Sequence, residues 1–150
     1  MLSQSLPQLL ATNDRIRELH HVLQNSISEA EKRVNFERLF EVVISKWVHG
    51  EIALPNVESW QDFCARVNRG LSNFLMRSVK GEVAVIFTSG GPVSVAMQRA
   101  LHLSAEDTLR VAWMSRNCSF SEFLFSGDRF TLSTFNSFPH LDDESLLTYR

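Results

Sequence analysis

The sequence predicts an α/β chain: a central parallel strand, helices around it, and a β-hairpin towards the C-terminus. Three observations predict this. Val83-Ala84-Val85-Ile86-Phe87 is apolar without a polar break, the pattern of a strand covered on both faces. Two long stretches, residues 31–48 and 59 to about 76, repeat apolar residues at i, i+3, i+4 and i+7, as amphipathic helices do. Residues 118–125 and 130–135 are rich in aromatics and flank Ser126-Gly127-Asp128-Arg129, a hairpin signal.

Composition bounds the rest. A chain of 150 residues is one domain, or part of a larger one, and can bury a sizeable core. Apolar content of 44% and charged content of 21% are ordinary globular usage. The net charge is -2, with both signs interspersed, so no basic field exists to neutralise a nucleic-acid backbone. No apolar run reaches membrane-spanning length, and the N-terminus lacks the basic and apolar segments of a signal peptide. Cys64 and Cys118 are far apart and form no CxxC. Reduced cysteines and a cytoplasmic location are the expectation.

In chain order, Leu6, Leu9 and Leu10 suggest a short helical turn after Pro7, and residues 15–24 a helix with Ile16, Leu19 and Leu23 on one side. His20 and His21 point about 100° apart on a helix, too divergent to face one metal. The next helix, 31–48, carries Phe36, Leu39, Phe40, Val43, Ile44, Trp47 and Val48 on its apolar face, and Gly50 suits its end. Ser59 and Asp62 resemble a capping box with a shortened acid before the stripe Trp60, Phe63, Cys64, Val67, Leu71, Phe74 and Leu75. Such stripes are far more often core than cofactor sites. After the central strand, Thr88 to Gly91 form a turn and Pro92 opens a helix carrying Val93, Met97, Ala100 and Leu101. Residues 102–106 read as a connection, and Leu109, Val111, Ala112 and Trp113 as a short extended piece before the hairpin.

Chemistry is expected where the strand meets the helix. In open α/β sheets ligands bind at the carboxyl ends of strands, and a helix N-terminus favours anions. Backbone N–H groups at Ser89, Gly90 and Gly91 would then hold a phosphoryl group, aided by the Thr88 and Ser89 hydroxyls. The same corner is equally compatible with a plain fold requirement, which would leave a non-catalytic interaction module. A third reading makes Ser89 a nucleophile, with Asp128 and His140 following in α/β-hydrolase order. Phe87 stands where the G-x-S-x-G elbow needs its first glycine.

Val85-Ile86-Phe87-Thr88-Ser89-Gly90-Gly91-Pro92-Val93 resembles the second conserved segment of the histidine phosphatase superfamily, the phosphoglycerate mutase-like fold. Phe40 through Trp47 to Glu51 is similar to a helix of one bacterial branch that ends in Trp-x-x-Gly-Glu. Glu58-Ser59-Trp60, Phe63 and Arg66-Val67 are similar to the following helix, and Arg116-Asn117-Cys118-Ser119 to the Asn-x-Ser opening of a late strand. Phe135-Asn136, Pro139-His140-Leu141-Asp142 and Thr148-Tyr149 resemble the C-terminal end. The resemblance covers about residues 36–150.

The resemblance implies one domain with part of a three-layer fold, corresponding to the C-terminal portion of the family. It implies phosphomonoester hydrolysis through a phosphohistidine, on phosphate or a small phosphorylated molecule, with no metal or cofactor. Two departures bear on this chain. No Arg-His pair occurs anywhere in it, so the nucleophile motif after the family's first strand is missing. Ser89 stands where the family's second catalytic histidine normally precedes the glycine pair. Ser89 and His140 are therefore the catalytic candidates, Ser89, Gly90 and Gly91 the phosphate contacts, and inactivity of this chain alone the expectation. A truncated fold would leave the central strand an open edge, implying a homodimer or a strand-donating partner.

Overall fold

A computed structural model describes residues 2–53, 56–79, 81–127 and 129–148. Its elements are α1 (Leu2–Thr12), α2 (Asp14–Gln24), α3 (Glu29–Val48), α4 (Trp60–Leu75), α5 (Gly90–Leu101), α6 (Ala105–Met114), β1 (Phe120–Ser126), β2 (Arg129–Ser137) and a 3-10 turn at Glu144–Leu146. The chain divides into two compact units, Met1–Trp60 and Gln61–Arg150.

The first unit is helical. Asn13 caps α2 by accepting from the Ile16 N–H at 3.1 Å. A capping box starts α3: Ser28 Oγ accepts from the Glu31 N–H, and the Glu31 carboxylate accepts from the Ser28 N–H. Both caps satisfy donors that a helix start otherwise leaves unpaired. Leu9, Ile16, Leu19, Leu39 and Val43 then pack into one buried cluster. The helix α1 begins well upstream of Pro7, although the proline forgoes one i→i−4 bond. The predicted stripe of α3 divides in two. Leu39 and Val43 enter the cluster, whereas Phe36 stacks on Phe40 at 6.0 Å and stays half exposed. Trp47 meets Trp60 edge-on at 5.5 Å and donates its indole N–H to the Glu58 carbonyl.

In the second unit the hairpin forms as expected. β1 and β2 pair antiparallel, with Phe123 opposite Leu132 and Phe125 opposite Phe130. Exposure alternates along β1 and over the first part of β2, and the Phe123 and Phe130 rings stack at 4.9 Å. β2 and α6 both pack against α5, whose Ser94, Val95, Ala96 and Met97 are buried. The hairpin turn residue Asp128 lies outside the described residues.

Two expectations are corrected. Residues 109–113 are helical, within α6, and not extended. Local polar chemistry decides it: Ser104 Oγ accepts from the Asp107 N–H, and Arg110 pairs with both Glu106 and Asp107, all favourable at a helix start and along its face. The second correction is larger. Residues 83–87 form no strand, and among the described residues the one sheet is the two-stranded hairpin. A turn about Gly81 (φ 84) leads in, with the Glu82 N–H donating to the Val79 carbonyl. From there to Ser89 the chain runs without turn or bend, and Val83 and Phe87 are 89% and 95% exposed. A strand exists only through a hydrogen-bonded neighbour, and no described segment pairs with this one.

Candidate functional site

The glycine corner is built as the sequence implies, shifted by two residues. Ser89 is the N-cap of α5, extended at φ -95 and ψ 168, and Gly90 and Gly91 form the first helical positions. Pro92 is therefore third, not first, yet still within the turn whose N–H groups have no intrahelical acceptor. The Ser89 side chain makes no capping bond and is exposed. No acidic residue occupies the first turn of α5, so nothing there offsets the positive end of the helix dipole. The corner thus offers the Gly90 and Gly91 N–H groups and an unengaged hydroxyl.

Neighbouring contacts hold this corner in place. A Cβ added at Gly91 would lie 3.2 Å from Cζ of Phe63, so glycine is what lets the α4 aromatic approach the helix start. Ser94, 2% exposed, donates its hydroxyl to the Gly90 carbonyl at 2.7 Å. Further along α5, Arg99 donates to Ser72 Oγ at 3.0 Å and lies over the Phe130 ring at 5.3 Å. On the same helix pair, the Cys64 thiol donates to Gln98 Oε1 at 3.6 Å, and burial pushes its pKa up to about 11. Burial thus disfavours the nucleophilic thiolate form at neutral pH.

Within the second unit, no histidine joins the corner. His102 caps the far end of α5 in a left-handed conformation, roughly 18 Å along the axis from the first turn. His140 is exposed and lies against Phe120 at 6.3 Å, and among the described residues no hydrogen bond or ring contact links it to Ser89. Asp128, third member of the serine-hydrolase reading, is outside the described residues. Also among the described residues, no three His, Cys, Asp or Glu side chains cluster to hold a metal ion, and no helix is long and apolar enough to cross a membrane.

One built feature had a sequence signal only through the resemblance. Asn136 takes φ 57, donates to the Met114 carbonyl at 2.8 Å and accepts from the Arg116 N–H at 2.8 Å. Asn117 meanwhile donates its backbone N–H to the Thr148 carbonyl and its side-chain amide to Thr148 Oγ1, both at 2.9 Å, and the Arg116 guanidinium stacks over Phe138 at 4.2 Å. Asn136 thus clasps the end of α6 to the hairpin, and Asn117 ties the following segment to the C-terminal tail.

Comparison with known proteins follows the same line. The model of the histidine phosphatase superfamily (branch 1) matches residues 2–137, starting upstream of Phe40, where the quoted motifs begin. No curated protein and no solved structure gives a significant match. The family match spans most of the 150 residues and includes the glycine corner, so this chain belongs to the histidine phosphatase superfamily.

Proposed function

We propose that this chain binds a phosphoryl anion at the start of α5 and does not by itself turn over phosphomonoesters. The observation that carries the reading is the corner itself: an unengaged Ser89 hydroxyl beside the Gly90 and Gly91 N–H groups, with no carboxylate in the first turn. Inorganic phosphate or the phosphoryl group of a small molecule fits such donors. Hydrolysis by the family's route needs a histidine to accept the phosphoryl group and a second cation beside it. This chain has no Arg-His pair, and Ser89 replaces the second histidine. A hydroxyl can donate a hydrogen bond but cannot place positive charge on a developing phosphoryl trianion. Such groups act as a unit, so losing several leaves only a remnant of the rate.

Phosphate titration of the 15N-labelled chain tests the binding part. Shifts at Ser89, Gly90 and Gly91 are expected, weak in affinity, abolished by Gly90→Val and reduced modestly by Ser89→Ala. Shifts confined to other residues would refute the site. p-Nitrophenyl phosphate turnover tests the chemical part and is expected at background. Turnover that survives Ser89→Ala and His140→Ala but vanishes in Gly90→Val would refute it. A second reading, a non-catalytic interaction module, is favoured by one observation, the exposed apolar stretch at residues 83–87. The serine-hydrolase reading gains nothing from His140, which lies against Phe120.

A further inference from the structure

Residues 82–89 combine three properties. Val83, Val85, Ile86 and Phe87 are 89%, 74%, 54% and 95% exposed. Among the described residues no hydrogen bond reaches the backbone of residues 83–87. The stretch has neither turn nor bend, and none of its residues takes a positive φ. An apolar segment in this state is a template for strand addition.

We propose that the occupant is the same stretch of a second copy, paired antiparallel about a two-fold axis at Val85. Centred there, Val83 faces Phe87, Ala84 faces Ile86 and Val85 faces its own copy. The aromatic–β-branched pair is a favourable cross-strand combination, and the small Ala84 accommodates the larger Ile86. Glu82 is the one charged residue in 82–98, and it faces Thr88. A parallel in-register pairing would instead oppose Glu82 to Glu82, which is unfavourable. A two-fold contact is self-complementary and closes at two copies. Edge-to-edge pairing covers the flanks of these side chains and leaves both faces of the ribbon open, so the contact is small and the dimer weak.

Sedimentation velocity of the full chain at high micromolar concentration is expected to show a species of twice the 17.1 kDa chain mass. A strict monomer, or open-ended aggregates, would overturn the proposal. Two charge variants separate specific pairing from general stickiness. Val83→Lys with Phe87→Glu places opposite charges across the two-fold and retains a salt-sensitive dimer. Val83→Lys with Phe87→Lys opposes like charges and gives monomer. Equal loss of dimer in both variants would overturn the pairing. Register is read by oxidation in a Cys64→Ser/Cys118→Ser background. Val85→Cys crosslinks, because directly opposed Cα atoms about 4.5–5.5 Å apart suit a disulfide. Ala84→Cys does not, since its own copy sits offset along the ribbon. Equal crosslinking at both positions would overturn the register.

Discussion

Replacing Gly91 with valine measures how tightly α4 closes on the helix that carries the phosphoryl corner. The built Cβ lies 3.2 Å from Cζ and 3.8 Å from Cε1 of Phe63, and the first distance falls short of the ~3.5–4.0 Å optimum for carbon pairs. Alanine sets two terms against each other. Helix propensity gains up to about 1 kcal/mol over glycine, while the Phe63 ring, which also lies under the Arg66 guanidinium at 5.3 Å, must shift. Gly91→Ala is therefore expected within about 1 kcal/mol of the parent. Valine gives back part of the propensity gain through its branched Cβ and adds two methyl groups at the closest point. Overpacking of this kind costs about 1–3 kcal/mol, so Gly91→Val should be destabilised by that order. Urea unfolding followed through amide signals of the second unit measures it. Phe63→Leu removes the offending ring, so the valine cost should shrink in that background, giving a coupling energy of at least ~0.5 kcal/mol. Additive effects, or a valine variant as stable as the parent, would refute the packing argument.

The clasp gives a sharper loss: Asn136→Ala removes its bonds with Met114 and Arg116 and leaves a Cβ-bearing residue at φ 57, for about 2–4 kcal/mol, and Asn136→Gly should recover the backbone share, as urea unfolding would show. Glu51 is held below the ordinary 4.5 by its hydrogen bond and charge attraction to the Lys46 ammonium. A depressed folded-state pKa contributes stability above the unfolded carboxylate's pKa that is lost as pH falls through the folded value. Lys46→Met should therefore return the Glu51 midpoint towards 4.5 in a carboxyl NMR titration and remove that acid-side loss. Thiol labelling near pH 8 should modify exposed Cys118 well before Cys64, whose thiol burial raises to about 11; equal rates would contradict the packing of α4 on α5.

What was legible in the sequence was local. The helix α3 declared itself through an unbroken apolar period, and the hairpin through two aromatic runs around Gly127. The misreading at residues 109–113 shows the limit of apolar patterns. Leu109, Val111, Ala112 and Trp113 suit a strand or a helix, and the deciding residues were polar ones just upstream. Ser104 with Asp107, like Ser28 with Glu31, is a capping pair readable from sequence alone. The Ser89-Gly90-Gly91 corner was legible because a helix start is set by its own few residues. The strand before it was not. Five residues of high strand propensity cannot supply the neighbour that makes them a strand, and no other segment of the sequence announces itself as that neighbour.

That same gap links the two proposals in a testable way. Phe87 is two residues before Ser89, and the backbone of residues 83–87 has no hydrogen bond anchoring it among the described residues. Pairing with a second copy would fix the chain entering the corner and reduce the ordering cost that a bound anion otherwise bears at Ser89. Phosphate should then bind the dimer more tightly than the monomer. Linkage makes the effect reciprocal: phosphate must raise the dimer fraction by the same factor per site that dimerisation raises phosphate affinity. Sedimentation with and without phosphate at constant ionic strength measures one side, and phosphate titration above and below the dimer dissociation constant measures the other. The dimer-retaining Val83→Lys/Phe87→Glu variant should keep the coupling, and the monomeric Val83→Lys/Phe87→Lys variant should bind phosphate weakly at every protein concentration. A dimer fraction indifferent to phosphate, in a protein whose Ser89–Gly91 amides do shift, would show that the strand and the corner are ordered independently.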